Sequence, residues 1–113
     1  MSSQPTVRAV RRSGAQAELE LFIPASLDFF PDHFPRLAIL PGVVQIDWAV
    51  TLAREHLELR GTFRGMRNIK FVNVVRPDTA LLLSLDHGTP GELNFSYRAG
   101  ERVFSSGRVL FTP

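Results

Sequence analysis

Between Pro41 and about Leu59 the apolar residues fall on two rows of a helix rather than one. Val43, Ile46, Val50, Ala53 and Leu57 form the first, and Val44, Trp48 and Leu52 form a second a third of a turn or more away. Proline suits the start, because the first helical N–H has no internal partner. A helix apolar on most of its girth does not lie on a surface; it asks for a sheet on one side and another element or subunit on the other. The chain has 113 residues, room for a single domain over 1–113. A domain of this size buries only about two-thirds of the surface its unfolded chain exposes, so the expected state is a homo-oligomer, at least a dimer.

The flanking segments supply the sheet. Ala17, Leu19, Leu21 and Ile23 alternate with Glu18, Glu20 and Phe22, which is the period of a half-buried strand, with Val7 to Arg12 as its hairpin partner. Pro24 ends it. Strands are predicted over Asn68 to Val75, Leu81 to Asp86, Leu93 to Arg98 and Arg102 to Phe111, separated by short Gly/Pro turns. Short connections make the sheet mostly antiparallel, an α+β arrangement with one helix to cover.

With no cysteine, disulfides, thiolate-bound zinc and cysteine nucleophiles are excluded, and a reducing cytoplasmic compartment is expected. Formal charge is +2, and Lys70 is the only lysine among thirteen basic residues. That balance admits an acidic partner but lacks the dense basic clusters of nucleic-acid surfaces, so no nucleic-acid partner is expected. No stretch approaches the roughly 18 apolar residues that span a bilayer, and the start lacks an export signal, so no membrane partner is expected either.

Three residue groups can carry chemistry. His33 stands in Asp28-Phe29-Phe30-Pro31-Asp32-His33-Phe34-Pro35, an aromatic loop that its prolines keep out of regular structure. There an imidazole can take a proton or simply hydrogen-bond the backbone to hold the loop. Asp47 sits in the mostly apolar helix with Val43, Val44, Val50 and Thr51 at i±3 and i±4; it is either an acid in a special setting or a solvated aspartate in line with Arg54. Gly42 and Val43 begin the helix, where unpaired N–H groups can hold an oxyanion. His56 and His87 read as structural. Base, carboxylate and oxyanion site together suggest proton abstraction beside a carbonyl.

His33-Phe34-Pro35 followed by Leu40-Pro41-Gly42-Val43-Val44-Gln45-Ile46-Asp47 resembles the active-site segment of the β-hydroxyacyl-ACP dehydratases, with 47 − 33 = 14 positions from histidine to acid as in that family. Ile69-Lys70-Phe71 with Arg76-Pro77-Asp78, and the closing hairpin Tyr97 to Phe111, are similar as well. The family usually has a glycine, a histidine or aspartate and a proline where this chain reads Arg36-Leu37-Ala38-Ile39.

The resemblance implies a hotdog fold, an antiparallel sheet wrapped around one long helix and paired into a dimer. It implies that His33 removes the α-proton of a 3-hydroxyacyl thioester, that Asp47 of the other subunit helps protonate the leaving hydroxyl, and that the Gly42 N–H holds the thioester oxygen. No metal or redox cofactor is implied; the acyl group arrives on the phosphopantetheine of acyl carrier protein. Arg64, Arg67 and Lys70, three cations at every third position after the helix, are the expected docking edge for that acidic partner. Two alternatives stay open: a catalytically silent hotdog subunit that binds carrier protein or an active partner, and an acyl thioesterase.

Overall fold

The computed structural model describes residues 3–30 and 38–113. Its elements are β1 (Thr6–Ser13), β2 (Gln16–Ile23), α1 (Gly42–His56), β3 (Thr62–Phe71), β4 (Thr79–Asp86), β5 (Glu92–Ala99) and β6 (Arg102–Thr112). The strands form one sheet in the order β1-β2-β4-β5-β6-β3, every neighbouring pair antiparallel. The chain builds β2, crosses the sheet through α1, and lands on the far edge as β3. This is the hotdog arrangement.

The alternation that marked β2 repeats on β4 and β5. Leu19, Leu21 and Ile23, Leu81, Leu83 and Leu85, and Leu93, Phe95 and Tyr97 all turn to one face and are buried there. Trp48, Ala49, Leu52 and Ala53 of α1 lie on that face. The helix spends its second apolar row on the sheet, while Val44, Ile46 and Val50 are only partly buried and Val43 is 73% exposed. Phe30 is buried and Phe29 meets Trp48 edge-on at 6.3 Å, so the described part of the aromatic loop packs on the core as expected.

Two boundaries differ from the sequence reading. The helix ends at His56 rather than near Leu59, because Glu58 adopts a left-handed backbone (φ 57) and the Leu59 N–H turns back to the Ala53 carbonyl. Strand β3 runs over Thr62–Phe71 rather than Asn68 to Val75. Register shifts between Phe63 and Gly65 and between Arg67 and Lys70 break its two-residue period, so the alternation that reveals β2 is missing there.

Helix and edge strand are joined at Gly61, whose φ is 102 and whose Cα faces the Thr112 carbonyl oxygen so closely that a methyl group there would collide with it. Arg54 completes the joint by donating to the carbonyls of Leu59 (3.4 Å) and Gly61 (2.9 Å). Gly61→Ala should therefore cost about 2 kcal/mol or more, or roughly 8 °C in Tm, whereas Gly65→Ala, with open space around it, should stay within about 1 kcal/mol of wild type. Thermal unfolding of the pair checks this, and equal losses would mean that the joint is not tightly packed.

Candidate active site

Helix α1 begins without a side-chain cap. Pro41, at φ −59 and ψ 145, is the N-cap, and no acid stands in the first turn. The Pro41 carbonyl accepts from the N–H groups of Val44 (3.1 Å) and Gln45 (3.3 Å). By helix geometry the N–H groups of Gly42 and Val43 are left over, at the positive end of the dipole. Gly42 is held close to Phe71: a Cβ there would sit 2.5–2.9 Å from three carbons of the ring. The half-exposed Phe71 ring thus makes one wall beside Gly42, next to the exposed Val43. Only glycine lets backbone and ring meet at this range.

Asp47 is exposed, a turn and a half into the helix. Gln45, about 200° around the axis, is buried on the opposite side. Its Oε1 accepts from Ser105 Oγ at 2.7 Å, its Nε2 donates to the Leu40 carbonyl at 3.2 Å, and its main-chain oxygen accepts from Tyr97 OH at 2.6 Å. Burial keeps the Tyr97 phenol neutral well above its ordinary range, and the negative charge of Asp47 pushes the same way. The phenol therefore acts as a hydrogen-bond donor under α1.

Gly42, Val43 and Asp47 all lie within the first turn and a half of α1. His33 lies outside the described residues, as do Arg36 and Leu37 of the departing loop. Of the remainder of that loop, Ala38 is buried and Ile39 is exposed. Arg64, Arg67 and Lys70 do not cluster around the helix exit: they lie on edge strand β3. At about 3.3 Å per residue Arg64 and Lys70 are about 20 Å apart, so of the three only Lys70, beside Phe71, is near Gly42. Arg64 and Arg67 instead line, with Arg60 and Glu92, a cleft of about 430 Å³ toward the other end of the strand. Every-third spacing suggests one helical face, but on β3 the register shift between Arg67 and Lys70 is what lets both sit on the outer face, opposite Arg108 and Ser106.

Reasoning from sequence missed Gln45, Tyr97, Ser105 and Phe71 as parts of this region. One signal was present for Gln45: it continues the row of Trp48 and Leu52 at i−3 and i−7, where an apolar residue is the norm. His56 Nε2 lies 3.6 Å from a Glu55 carboxylate oxygen, and the buried His87 Nε2 has no hydrogen-bond partner among the described residues; neither adjoins Gly42.

The sequence matches the ApeI-like family model, described as ApeI dehydratase, over residues 9–108. A chain of the dehydratase heterocomplex ApeI:P from Xenorhabdus doucetiae superposes with a TM-score of 0.87 at 28% identity, covering 97% of this chain and 99% of that one. An uncharacterized protein from Erwinia carotovora subsp. atroseptica superposes at 0.80 with 35% identity, over 97% and 95%. A 3-hydroxyacyl-[acyl-carrier-protein] dehydratase FabZ of Erythrobacter litoralis is 40% identical over 68 residues, 52% of this chain and 45% of that protein, so the chain spans about half the length of this curated relative.

Tyr97 is the only tyrosine, which makes its burial measurable. Because its folded pKa lies above the unfolded value of about 10, its contribution to stability is complete below pH 10. That contribution falls by about 1.4 kcal/mol for each pH unit above 10. Absorbance at 295 nm should stay flat past pH 10 and rise only as the fold is lost. A reversible rise near pH 10 with the circular dichroism intact would place the phenol in water.

Proposed function

The chain belongs to the ApeI-like dehydratase family, and on that premise we propose that it removes water from a 3-hydroxyacyl thioester on acyl carrier protein, giving the trans-2-enoyl thioester. The observation that carries the reading is the juxtaposition of uncapped, acid-free Gly42-Val43 N–H groups with an exposed Asp47 on the same helix end, inside the matched region. His33, 14 positions before Asp47, is the base. It takes a proton from C2 as electron density moves onto the thioester oxygen, held by the Gly42 N–H. That density then returns to form the C2=C3 bond as the C3–O bond breaks, and the hydroxyl leaves as water with a proton delivered by Asp47. Acid–base groups and backbone suffice for this balance, without a metal or a redox cofactor.

The reading includes a homo-oligomer, at least a dimer, in which base and acid come from different subunits. Supporting it, Phe63, Met66 and Phe71 on the inner side of edge strand β3 are 54%, 48% and 51% exposed, and Val72, Val74 and Val43 extend that apolar surface. Apolar residues left exposed along an edge that no described strand pairs ask for a cover. The carrier protein docks along the outer side of β3, on Arg64, Arg67 and Lys70, and the enzyme works in the cytoplasm. A second reading, a subunit that completes the site of a different chain, is favoured by one observation: the similar Xenorhabdus chain belongs to a heterocomplex.

His33→Ala and Asp47→Asn should each lower kcat on a carrier-bound 3-hydroxyacyl substrate by a factor of about 10² to 10⁴. Mixing the two inactive variants with verified subunit exchange should restore up to about a quarter of the wild-type rate, since half the dimers are then mixed and each holds one complete site. No recovery would exclude a shared site, and a wild-type chain inert alone but active with a second hotdog subunit would select the second reading. Arg64→Glu with Arg67→Glu should raise KM for the carrier-bound substrate several-fold, an effect that fades with salt, and spare an N-acetylcysteamine thioester. Equal losses on both substrates would remove the docking assignment.

A further inference from the structure

Gln45 and its partner Ser105 are buried polar side chains for which the dehydration chemistry has no use, and Gln45 is the one carried by α1. We propose that it is a positioning residue that fixes the rotation of α1 about its own axis, and thereby the places of Gly42 and Asp47. The inference rests on the reading of those two residues as oxyanion donor and acid.

Gln45 is 3% exposed on a helical face otherwise made of Trp48, Ala49, Leu52 and Ala53. Two side-chain hydrogen bonds, from Ser105 on β6 and to the Leu40 carbonyl in the loop that enters the helix, and one from Tyr97 on β5 to its main-chain oxygen tie it to three different segments. Leu40 is pinned on its other side, its N–H donating to the Val75 carbonyl at 2.7 Å. Packing of Trp48, whose Nε1 also donates to the Ser3 carbonyl at 2.9 Å, restrains the roll of the helix near its middle, but Ala49 and Ala53 offer little shape to resist a small rotation. Hydrogen bonds fix distance and direction together. A roll of about 20° moves a group about 5 Å from the helix axis by about 2 Å, and displacements of even about 1 Å can cost 10²-fold in rate. Asp47, on the opposite side of the helix, is placed by whatever holds Gln45. The bond to Leu40 acts at the other end of the same turn, fixing the direction in which the chain reaches Gly42.

The test separates position from stability. Gln45→Met keeps the volume but orphans the Ser105 hydroxyl and deprives the Leu40 carbonyl of its side-chain donor, and Gln45→Met/Ser105→Ala removes the first of these two defects. The single variant should lose both Tm and kcat. The double variant should regain the part of the Tm lost to the orphaned hydroxyl while kcat on a 3-hydroxyacyl N-acetylcysteamine thioester stays at least about tenfold below wild type with KM nearly unchanged. Recovery of kcat along with Tm would overturn the proposal. Tyr97→Phe deletes one oxygen, so it keeps the ring that fills the core, and it should lower kcat by about 5- to 10-fold; a wild-type kcat there would also overturn it. Amide exchange supplies a readout independent of turnover. In the double variant the amides of Val44 and of position 45 should exchange at least about tenfold faster, after allowance for the intrinsic rate of the new side chain, while those of Leu83 and Leu85 do not change, and unaltered exchange refutes the proposal. Should the wild-type chain dehydrate no thioester while the exchange responds as stated, the dehydratase reading fails and the positioning of this turn stands.

Discussion

One sheet can cover only one side of a helix, and the rest of this molecule follows from that limit. Trp48, Ala49, Leu52 and Ala53 face the leucine-rich surface of β2, β4 and β5 and are sealed there. The remaining side of α1, with Val43, Val44, Ile46 and Asp47, stays wholly or partly open. A substrate cannot reach the sealed side, so any chemistry on this helix belongs to the open one. Among the described residues, nothing finishes covering that open side. Under the dehydratase reading, reaction surface and association surface would therefore be drawn from the same part of the molecule, a physical reason for the site to be shared between subunits.

Edge strand β3 shows how such an edge can be selective. Its inner side carries Phe63, Met66 and Phe71, opposite Phe111, Val109 and Ser105 in register, and its outer side carries Arg67 and Lys70, opposite Arg108 and Ser106. The strand has three cations and no acid. Charged side chains on an edge discourage indiscriminate strand addition. Backbone pairing alone gains little against that charge, so the edge rewards a partner that also brings apolar surface to its inner side.

Much of this architecture could be read from the sequence because local periodicity and global burial agree. Strands β2 and β5 alternate cleanly, and α1 announces itself by Pro41-Gly42 and its apolar rows. The hotdog expectation held. Strand β3 lies several residues ahead of the span its sequence suggests because its bulges erase the two-residue period that would reveal it. The site was legible in part for a related reason. Gly42, Val43 and Asp47 are neighbours in sequence, so a spacing argument finds them. Gln45 meets Tyr97 and Ser105 across 52 and 60 residues, and no local pattern encodes such contacts. The three basic residues were visible, but their common spacing was taken for clustering at the helix exit when the chain there is extended.

The manner in which α1 is tied at its two ends bears on why its first turn is left open. Most helices satisfy one of their leading N–H groups with a Ser, Thr, Asp or Asn cap, worth about 1 kcal/mol, and many add an acid in the first turn. This helix has neither. It is anchored instead through carbonyls: Gln45 holds Leu40 ahead of the helix, and Arg54 holds Leu59 and Gly61 beyond it. A capping oxygen would occupy one of the leading N–H groups, and a nearby carboxylate would neutralise the dipole that makes them useful to an anion. Anchoring through carbonyls fixes the helix while spending none of those donors. Under the dehydratase reading, the stability given up by omitting the cap is what keeps the Gly42 N–H free for the oxygen on which charge develops.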